Sequence, residues 1–454
     1  VVLPEHGRLV RWRRNRPPPA PEPDRVHLED RLFRRLERFE RGWQGRGEPV
    51  FSWSADGAQA RQWVGVVQIP GLHVEILPKI DARHGSDGSS FEGAPEGAHE
   101  ARRNLVYMLS VAGDVPVRAR DAARLSSRRA PLGETLSAVF AEALLTELLR
   151  GTERGYVSED ENLRTFRGRL LVSRHAGRNA AHRERFLCRY DEFSLDTVMN
   201  RVFKAACRWL LESARTPATR ASLMRSLLLL EEVTDEPITP AHFERVTFNR
   251  QNERFSEVFR FCRLVLEGRS PTAHPGGTQS FSLLFDMNRV FERFVAGFVR
   301  QQVLPRFEGV RLFPQAQTRT RHLMRSEGRG TLPLRPDLLF EGADGGRFVV
   351  DTKWKVPPGG AQGRMAPEDL YQLHAYTRRF GCARSALLYP SVPGARSADY
   401  DVLAADGAGS GEVVGLRLLD LRRDLRSSVE RGALADALAE LVSWGLGKDA
   451  PGSP

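Results

Sequence analysis

Residues 335–353 constrain the fold more than any other stretch of the chain. Two apolar runs, 338–340 and 348–350, flank the turn string Glu-Gly-Ala-Asp-Gly-Gly, a pattern that predicts a β-hairpin. Centred on Asp344, such a hairpin sets Asp337 directly across from Asp351, and opposed residues share a face with Cβ atoms roughly 5 Å apart. Side chains alternate along a strand, so Lys353 joins Asp351 on that face. Three ionisable groups are therefore expected at one end of one hairpin.

Two carboxylates held that close repel each other and titrate upward unless a cation lies between them. Oxygen ligands without Cys or His favour Mg²⁺, with Mn²⁺ as the substitute. A neighbouring ammonium can position or deprotonate the attacking water, or stabilise a pentavalent phosphate. These are the requirements of phosphodiester hydrolysis. The competing reading is an exposed hairpin with a solvated Asp and Lys.

The flanks bear on the choice. A long helix is predicted over 281–303, with Glu292 beside an apolar stripe of Leu284, Met287, Phe291 and Val295. Gln372 and Tyr376 lie four apart on a predicted helix 367–380, hence on one helical face. With a strand at 310–315, the hairpin 336–351, a loop 356–366 and a strand 386–389, the order is α-β-β-β-α-β. A C-terminal helix is expected around 433–444. The class is α+β, a multi-domain chain with mixed α/β character and a small sheet flanked by helices.

Upstream, residues 1–26 read as a flexible, basic, Pro-rich arm. Residues 27–270 form an N-terminal and middle region. Its helix begins at Leu28, Leu32 and Leu36 and stops at Gly42. A hairpin turns at Pro70-Gly71, and residues 81–100 form a loop. Helices follow at 102–111 and 132–149, a strand-rich stretch at 156–190, and helices at 195–214 and 217–233. The string EGRSPTAHPGGTQ (267–279) marks the boundary to a domain of residues 271–454. No internal repeat is visible.

The chain carries 68 Lys and Arg against 57 Asp and Glu, a net charge of +11 with a pI near 10.0. That excess favours polyanions such as DNA as partners. Lysine occurs at 79, 204, 353, 355 and 448 and nowhere else, which singles out each one. Arg319, Arg321, Arg325 and Arg329 fall between the first two core strands; they read as phosphate contacts or as a solvated loop. Residues 118–129 read as a basic contact or a plain connector. Asn200, Arg201 and Lys204 favour structural hydrogen bonds or partner contact over catalysis. Trp354 and Lys355 read as packing or substrate contacts, and His374 as surface. Cys188, Cys207, Cys262 and Cys382 show no C-x₂-C spacing, which argues against a zinc ribbon or iron–sulfur cluster and for ordinary buried thiols. No apolar run is long enough to span a membrane and none has signal-peptide character, so a cytoplasmic location is expected.

Pro336-Asp337 and Asp351-Thr-Lys353 resemble the signature of the PD-(D/E)xK nuclease superfamily, and Gln372-x₃-Tyr376 resembles the extra motif of its RecB-like branch. More narrowly, FDMNRVFERFV, RPDLLF, VVDTKWK and DLYQLHAY are similar to the C-terminal domain of the McrC-type subunits of McrBC restriction systems. VEILPKI, LRTFRGRLL and RFLCRYDEFSLDTVMNRVFKAACRWLL extend the likeness upstream, to roughly residues 60–425. The resemblance implies a restriction-endonuclease-like domain in which Glu292 joins Asp337 and Asp351 at the metal. Lys353 would assist the attacking water, and Gln372 and Tyr376 would orient the site. It also implies a partner, a McrB-like AAA+ GTPase ring that is stimulated by this subunit and itself reads the methylated base, with cutting of modified DNA as antiphage defence. Dimerisation of the assembled complex is left open.

No G-x₄-G-K-[S/T] occurs here; the nearest string, Gly445-Leu-Gly-Lys448-Asp449, lacks its hydroxyl residue and spacing, so motor activity must come in trans. The region before residue 270 lacks a catalytic signature, which suits docking onto that ring. Two other readings remain: a RecB-like repair nuclease without a GTPase partner, and an adaptor that mainly activates a partner's NTPase.

Overall fold

The computed structural model describes residues 1–12, 25–42, 48–79, 95–116, 130–268, 280–356 and 365–448. The chain divides into two compact units. One combines Val1–Asp114 and Arg118–Leu132 with Ser270–Pro454; the other combines Val115–Val117 with Gly133–Arg269. The architecture is mixed α/β, and no helix among the described residues is long and apolar enough to cross a membrane.

The first unit opens with β1 (Val2–Pro4), β2 (Arg8–Trp12), β3 (Arg25–Glu29), α1 (Asp30–Gly42), β4 (Phe51–Trp53), β5 (Gly57–Ala60), β6 (Trp63–Ile69), β7 (Leu72–Leu77) and α2 (Pro95–Ala112). This corrects the expectation of a flexible arm over residues 1–26. Leu3 and Leu9 are completely buried, and their burial fixes two short strands that the basic, Pro-rich composition around them hides. Residues 13–24 lie outside the described residues, as do 80–94 and 118–129. Leu28 likewise sits in β3, and the helix starts at Asp30, whose carboxylate suits a helix N-terminus. The predicted loop 81–100 gives way to α2 from Pro95 onward.

The second unit holds α3 (Leu132–Leu149), β8 (Gly155–Leu163), β9 (Arg169–Leu170), α4 (Val172–Arg178), β10 (Phe186–Ser194), α5 (Val198–Ser213), α6 (Pro217–Leu229), α7 (Pro240–Glu244) and α8 (Ser256–Glu267). Its core stacks Phe140 on Phe261, with Cys207 and Cys262 buried and free. Asn200 donates to Glu153 O and Leu195 O at 2.8 Å each, Arg201 forks onto Asp196, and Lys204 donates to Glu231 O and Val233 O. All three residues expected to make structural hydrogen bonds do so.

The first unit resumes with β11 (Phe281–Asp286), α9 (Met287–Phe298), β12 (Arg311–Pro314), β13 (Arg321–Ser326), β14 (Arg329–Leu334), β15 (Leu338–Glu341), β16 (Arg347–Thr352), α10 (Pro367–Phe380), β17 (Arg384–Pro390), β18 (Ala398–Leu403), β19 (Gly409–Leu419) and α11 (Ser428–Leu446). The predicted helix 281–303 is thus a strand for its first six residues. FSLLF pairs antiparallel with β6, and Asp286 caps α9 by accepting from Asn288 N at 3.0 Å. Leu284 packs in the N-terminal core with Val67, Val74 and Ile76 rather than on a helical stripe. This strand is also why residues 1–114 belong with the C-terminal part instead of forming one region with residues 133–269: it completes the sheet β1-β7-β6-β11.

The sheet that carries the site runs β12-β15-β16-β17-β19-β18. The neighbours β12, β15 and β16 are antiparallel; β16, β17 and β19 are parallel. Both faces of its central strands are covered, so β15, β16 and β17 read as near-continuous apolar runs. Leu339, Val349 and Leu387 face α10 through Leu373, Tyr376 and Phe380. On the other face Phe340 stacks on Phe348, which meets Trp444 of α11 edge-on. The β13–β14 hairpin and the strands β18 and β19 carry no apolar alternation strong enough to predict from sequence.

Candidate active site

In the β15–β16 hairpin Leu338 stands opposite Val350 and Phe340 opposite Phe348, the register that the sequence predicts. The ladder begins at Leu338, which leaves Asp337 one residue outside it. There its Oδ2 accepts hydrogen bonds from the Thr352 amide (2.7 Å) and the Thr352 hydroxyl (2.6 Å). Asp351 is 2% exposed. Since Val349 packs against α10, alternation turns Asp351 and Lys353 toward that helix too.

Lys353 Nζ lies 2.7 Å from Asp351 Oδ2 and 3.6 Å from Asp369 Oδ1, and donates to Gln372 Oε1 at 2.9 Å. Gln372 Nε2 in turn donates to the Tyr376 hydroxyl at 2.8 Å, and that hydroxyl donates to Arg335 O at 3.4 Å. Asp369, Gln372 and Tyr376 stand three and four residues apart, on one face of α10. Asp369 is buried and also takes Lys355 Nζ at 2.7 Å and the Tyr389 hydroxyl at 3.0 Å. One aspartate thus anchors two of the chain's few lysines.

Burial raises the pKa of Asp337, and Glu292 nearby adds to it against the Thr352 hydrogen bonds. Burial likewise raises Asp351, with Asp337 pushing the same way and Lys353 opposing. For Lys353, burial pulls the ammonium down, but the combined attraction of Asp351, Asp369 and Asp337 wins and leaves it raised. Lys353 is therefore a positive charge beside two acids that are costly to ionise without a cation. Asp351 Oδ2 has no hydrogen-bond donor aligned on it, its ion pair with Lys353 notwithstanding. Buried oxygen acids of this kind fit a hard divalent cation, and Asp337 and Asp351 are the residues that could hold one.

Glu292, on α9, is raised by burial and accepts from Gln315 Nε2 at 2.8 Å. Gln315 also donates its amide to Asp337 O at 2.9 Å, from a left-handed backbone with φ 49°. The glutamate raises Asp337 and is itself raised by Asp351. Among the described residues, though, no three His, Cys, Asp or Glu side chains close into a group that could hold an ion. Sequence reasoning passed over Gln315, Thr352, Asp369 and Tyr389. Asp369 alone left a trace, at three residues before Gln372.

The four arginines separate. Arg319 lies 3.6 Å from Glu341 and over the Phe313 ring; Arg321 donates to Arg379 O and covers Phe380. Arg325 and Arg329 are exposed next to the turn of the β13–β14 hairpin. His374 is exposed, as expected, 3.8 Å from Glu412. Trp354 is buried, and its indole N–H donates to the Glu5 carboxyl at 2.8 Å.

That Glu5 contact has a measurable pH signature. Burial pushes the Glu5 carboxyl from 4.5 up to about 7; Trp354 and Lys79 pull it down, and Asp286 adds to the rise. His6, a further titratable neighbour, is lowered by burial and by Lys79. A raised acid stabilises the fold fully below its unfolded pKa and loses that contribution as pH rises through the folded one. The unfolding free energy of the wild type is expected to fall relative to that of Glu5→Gln between pH 5 and pH 8.5, by a difference on the order of 3 kcal/mol. Parallel pH profiles for the two proteins would contradict the burial argument.

Residues 58–390 match the family model described as "McrBC 5-methylcytosine restriction system component". No curated protein matches the sequence. Among solved structures, a chain of the refined half-complex from the tetradecameric assembly of Thermococcus gammatolerans McrB AAA+ hexamers with bound McrC has a similar fold. It is 20% identical with a TM-score of 0.63, over 97% of this chain and 99% of that one. A chain from the cryo-EM structure of the Thermococcus gammatolerans McrBC complex is 23% identical, with a TM-score of 0.47 over 67% of this chain and 90% of that one.

Proposed function

The chain belongs to the McrBC 5-methylcytosine restriction system component family, and from that premise we propose that it is the McrC-type endonuclease subunit of a modification-dependent restriction complex. In this reading β12, β15, β16, α10 and β17, with α9 before them, are a PD-(D/E)xK nuclease core that cuts methylated DNA in the cytoplasm as antiphage defence. One observation carries it: a buried acid, Asp351, a half-buried one, Asp337, and a lysine meet at the end of a single hairpin, against a helix that presents Gln372 and Tyr376.

A bound Mg²⁺ (or Mn²⁺) would supply charge neutralisation and an activated water. Asp337 and Asp351 would hold it, with Thr352 fixing the orientation of Asp337 through two hydrogen bonds. Lys353 keeps an ammonium beside the position where phosphate charge develops, and Gln372 holds that ammonium in place. Tyr376 in turn fixes the Gln372 amide. Glu292 would act from α9, as a further ligand or through the field that it imposes on the two aspartates. Arg325 and Arg329 are the arginines best placed for DNA phosphate, since Arg319 and Arg321 have intramolecular partners.

The similar fold comes from an assembly in which McrC is bound to McrB AAA+ hexamers. We extend that arrangement to this chain, which has no phosphate-binding loop of its own. Mixed with a McrB-like AAA+ protein, the wild type is expected to raise GTP hydrolysis and to cut methylated but not unmethylated DNA. Asp351→Ala should raise GTP hydrolysis equally and cut neither. An unchanged GTPase rate alongside normal cutting would favour the repair-nuclease reading instead.

A further inference from the structure

The three parallel strands β16, β17 and β19 end on one cavity of about 400 Å³. Lys355 and Val356 follow the first, Pro390–Pro393 close the second, and Arg422 follows the third. On the opposite wall end β1 and β7, also parallel to each other, with Glu5, His6 and Lys79 just beyond them. Ligands of open sheets with parallel strands bind outside the carboxyl ends of those strands. The volume falls in the range of small-molecule sites, roughly 300–1,000 Å³.

The lining has two kinds of chemistry. Trp354, Val392 and the prolines make an apolar wall, and the indole is braced by Phe291 at 5.3 Å between ring centroids and by its hydrogen bond to Glu5. Lys79 and Arg422 bring positive charge, Arg422 partly balanced and held in place by a two-pronged contact with Asp420 (2.8 and 3.0 Å), whereas Lys355 is paired with Asp369 at 2.7 Å. Because burial pushes the Glu5 carboxyl up to about 7, the acid in this wall offsets only part of that charge near neutral pH. His6, on the same wall, is held at φ 64°, a left-handed conformation that a residue with a side chain keeps at a cost.

We propose that this cavity binds a nucleotide, its base against Trp354, Val392 and the prolines and its phosphate toward Lys79 and Arg422. The inference rests on the nuclease reading in one respect: Lys355 lies two residues beyond Lys353, which joins the cavity to the catalytic hairpin and makes a nucleotide of the cut strand the natural occupant. A free nucleotide offers the same chemistry.

Calorimetric titration of the full chain without divalent ions separates these sources. The probes are deoxycytidine monophosphate, inorganic phosphate and a single-stranded pentanucleotide. The mononucleotide is expected to bind the wild type, with inorganic phosphate at least about tenfold weaker. Val392→Trp, which fills the cavity, and Lys79→Glu, which reverses charge at an exposed position, should each weaken mononucleotide binding about tenfold or more. If Val392→Trp does not fold, Lys79→Glu carries the test. Competition by the pentanucleotide supports a DNA strand as occupant; binding of the mononucleotide alone supports a free nucleotide. Unchanged affinity in the variants, no binding at millimolar concentration, or phosphate binding as tightly as the nucleotide overturns the proposal. The titration reads binding without cutting, so the cavity and the nuclease reading fail independently.

Discussion

Asp351→Ala is expected to lower DNA cleavage by at least about a thousandfold while the protein still folds and still engages its partner. The size follows from where the carboxylate sits. Asp351 is 2% exposed, and of the two acids fit to hold a cation it is the one touching Lys353; its neighbour Asp369 is already taken up by Lys355 and the Tyr389 hydroxyl. Lys353→Ala should cost about a hundredfold to a thousandfold, the usual penalty for removing one group aimed at developing charge. Asp351→Asn keeps the shape and removes a charge that burial disfavours, while Lys353 keeps Asp369 and Gln372 as partners, so its thermal midpoint should stay close to that of the metal-free wild type. Cleavage of a methylated plasmid, GTPase rate and thermal midpoint measured on the same preparations separate chemistry from folding. Cutting within tenfold of the wild type by Asp351→Ala would remove the acid from the mechanism.

The hairpin was legible because its two strands and its turn are contiguous, so counting outward from Asp344 sets the register. Helix 367–380 was legible for the same local reason, with Pro367 at its first position and Gly381 in left-handed backbone just past its end. What lay hidden depends on distant partners. Gln315 matters because its strand returns beside Asp337, and Asp369 because two lysines from a different element converge on it. The sequence FSLLFDMNRVFERFV has helical spacing throughout, and only the waiting edge of β6 turns its first part into a strand. Tertiary pairing overrides local periodicity there, and the domain division moves with it.

That edge also supports the second large effect, Gly65→Ala, expected to destabilise the first unit by about 3–5 kcal/mol. Gly65 sits in the middle of β6 at φ 135°, directly opposite Leu284, and a Cβ built there would run into the Leu283 carbonyl oxygen. The obstacle is backbone, not the end of a flexible side chain, so β6 and β11 must part or slide to admit a methyl group. Gly71→Ala is the control. Its φ of 81° also disfavours a side chain, but a Cβ there meets only side-chain ends at ordinary contact distance, Leu32 Cδ2 at 3.5 Å and Arg35 Nη1 at 3.8 Å. Conformational strain alone should cost it about 1–2 kcal/mol. Thermal melts should therefore rank Gly65→Ala well below Gly71→Ala, and equal midpoints would mean that the close approach of the strands contributes little. The consequence reaches the site because β11 ends at Asp286, the cap of the helix that carries Glu292. Displacing β11 shifts that helix against Gln315 and Asp337. Any Gly65→Ala protein that still folds should then cut DNA more slowly than its residual stability alone would allow.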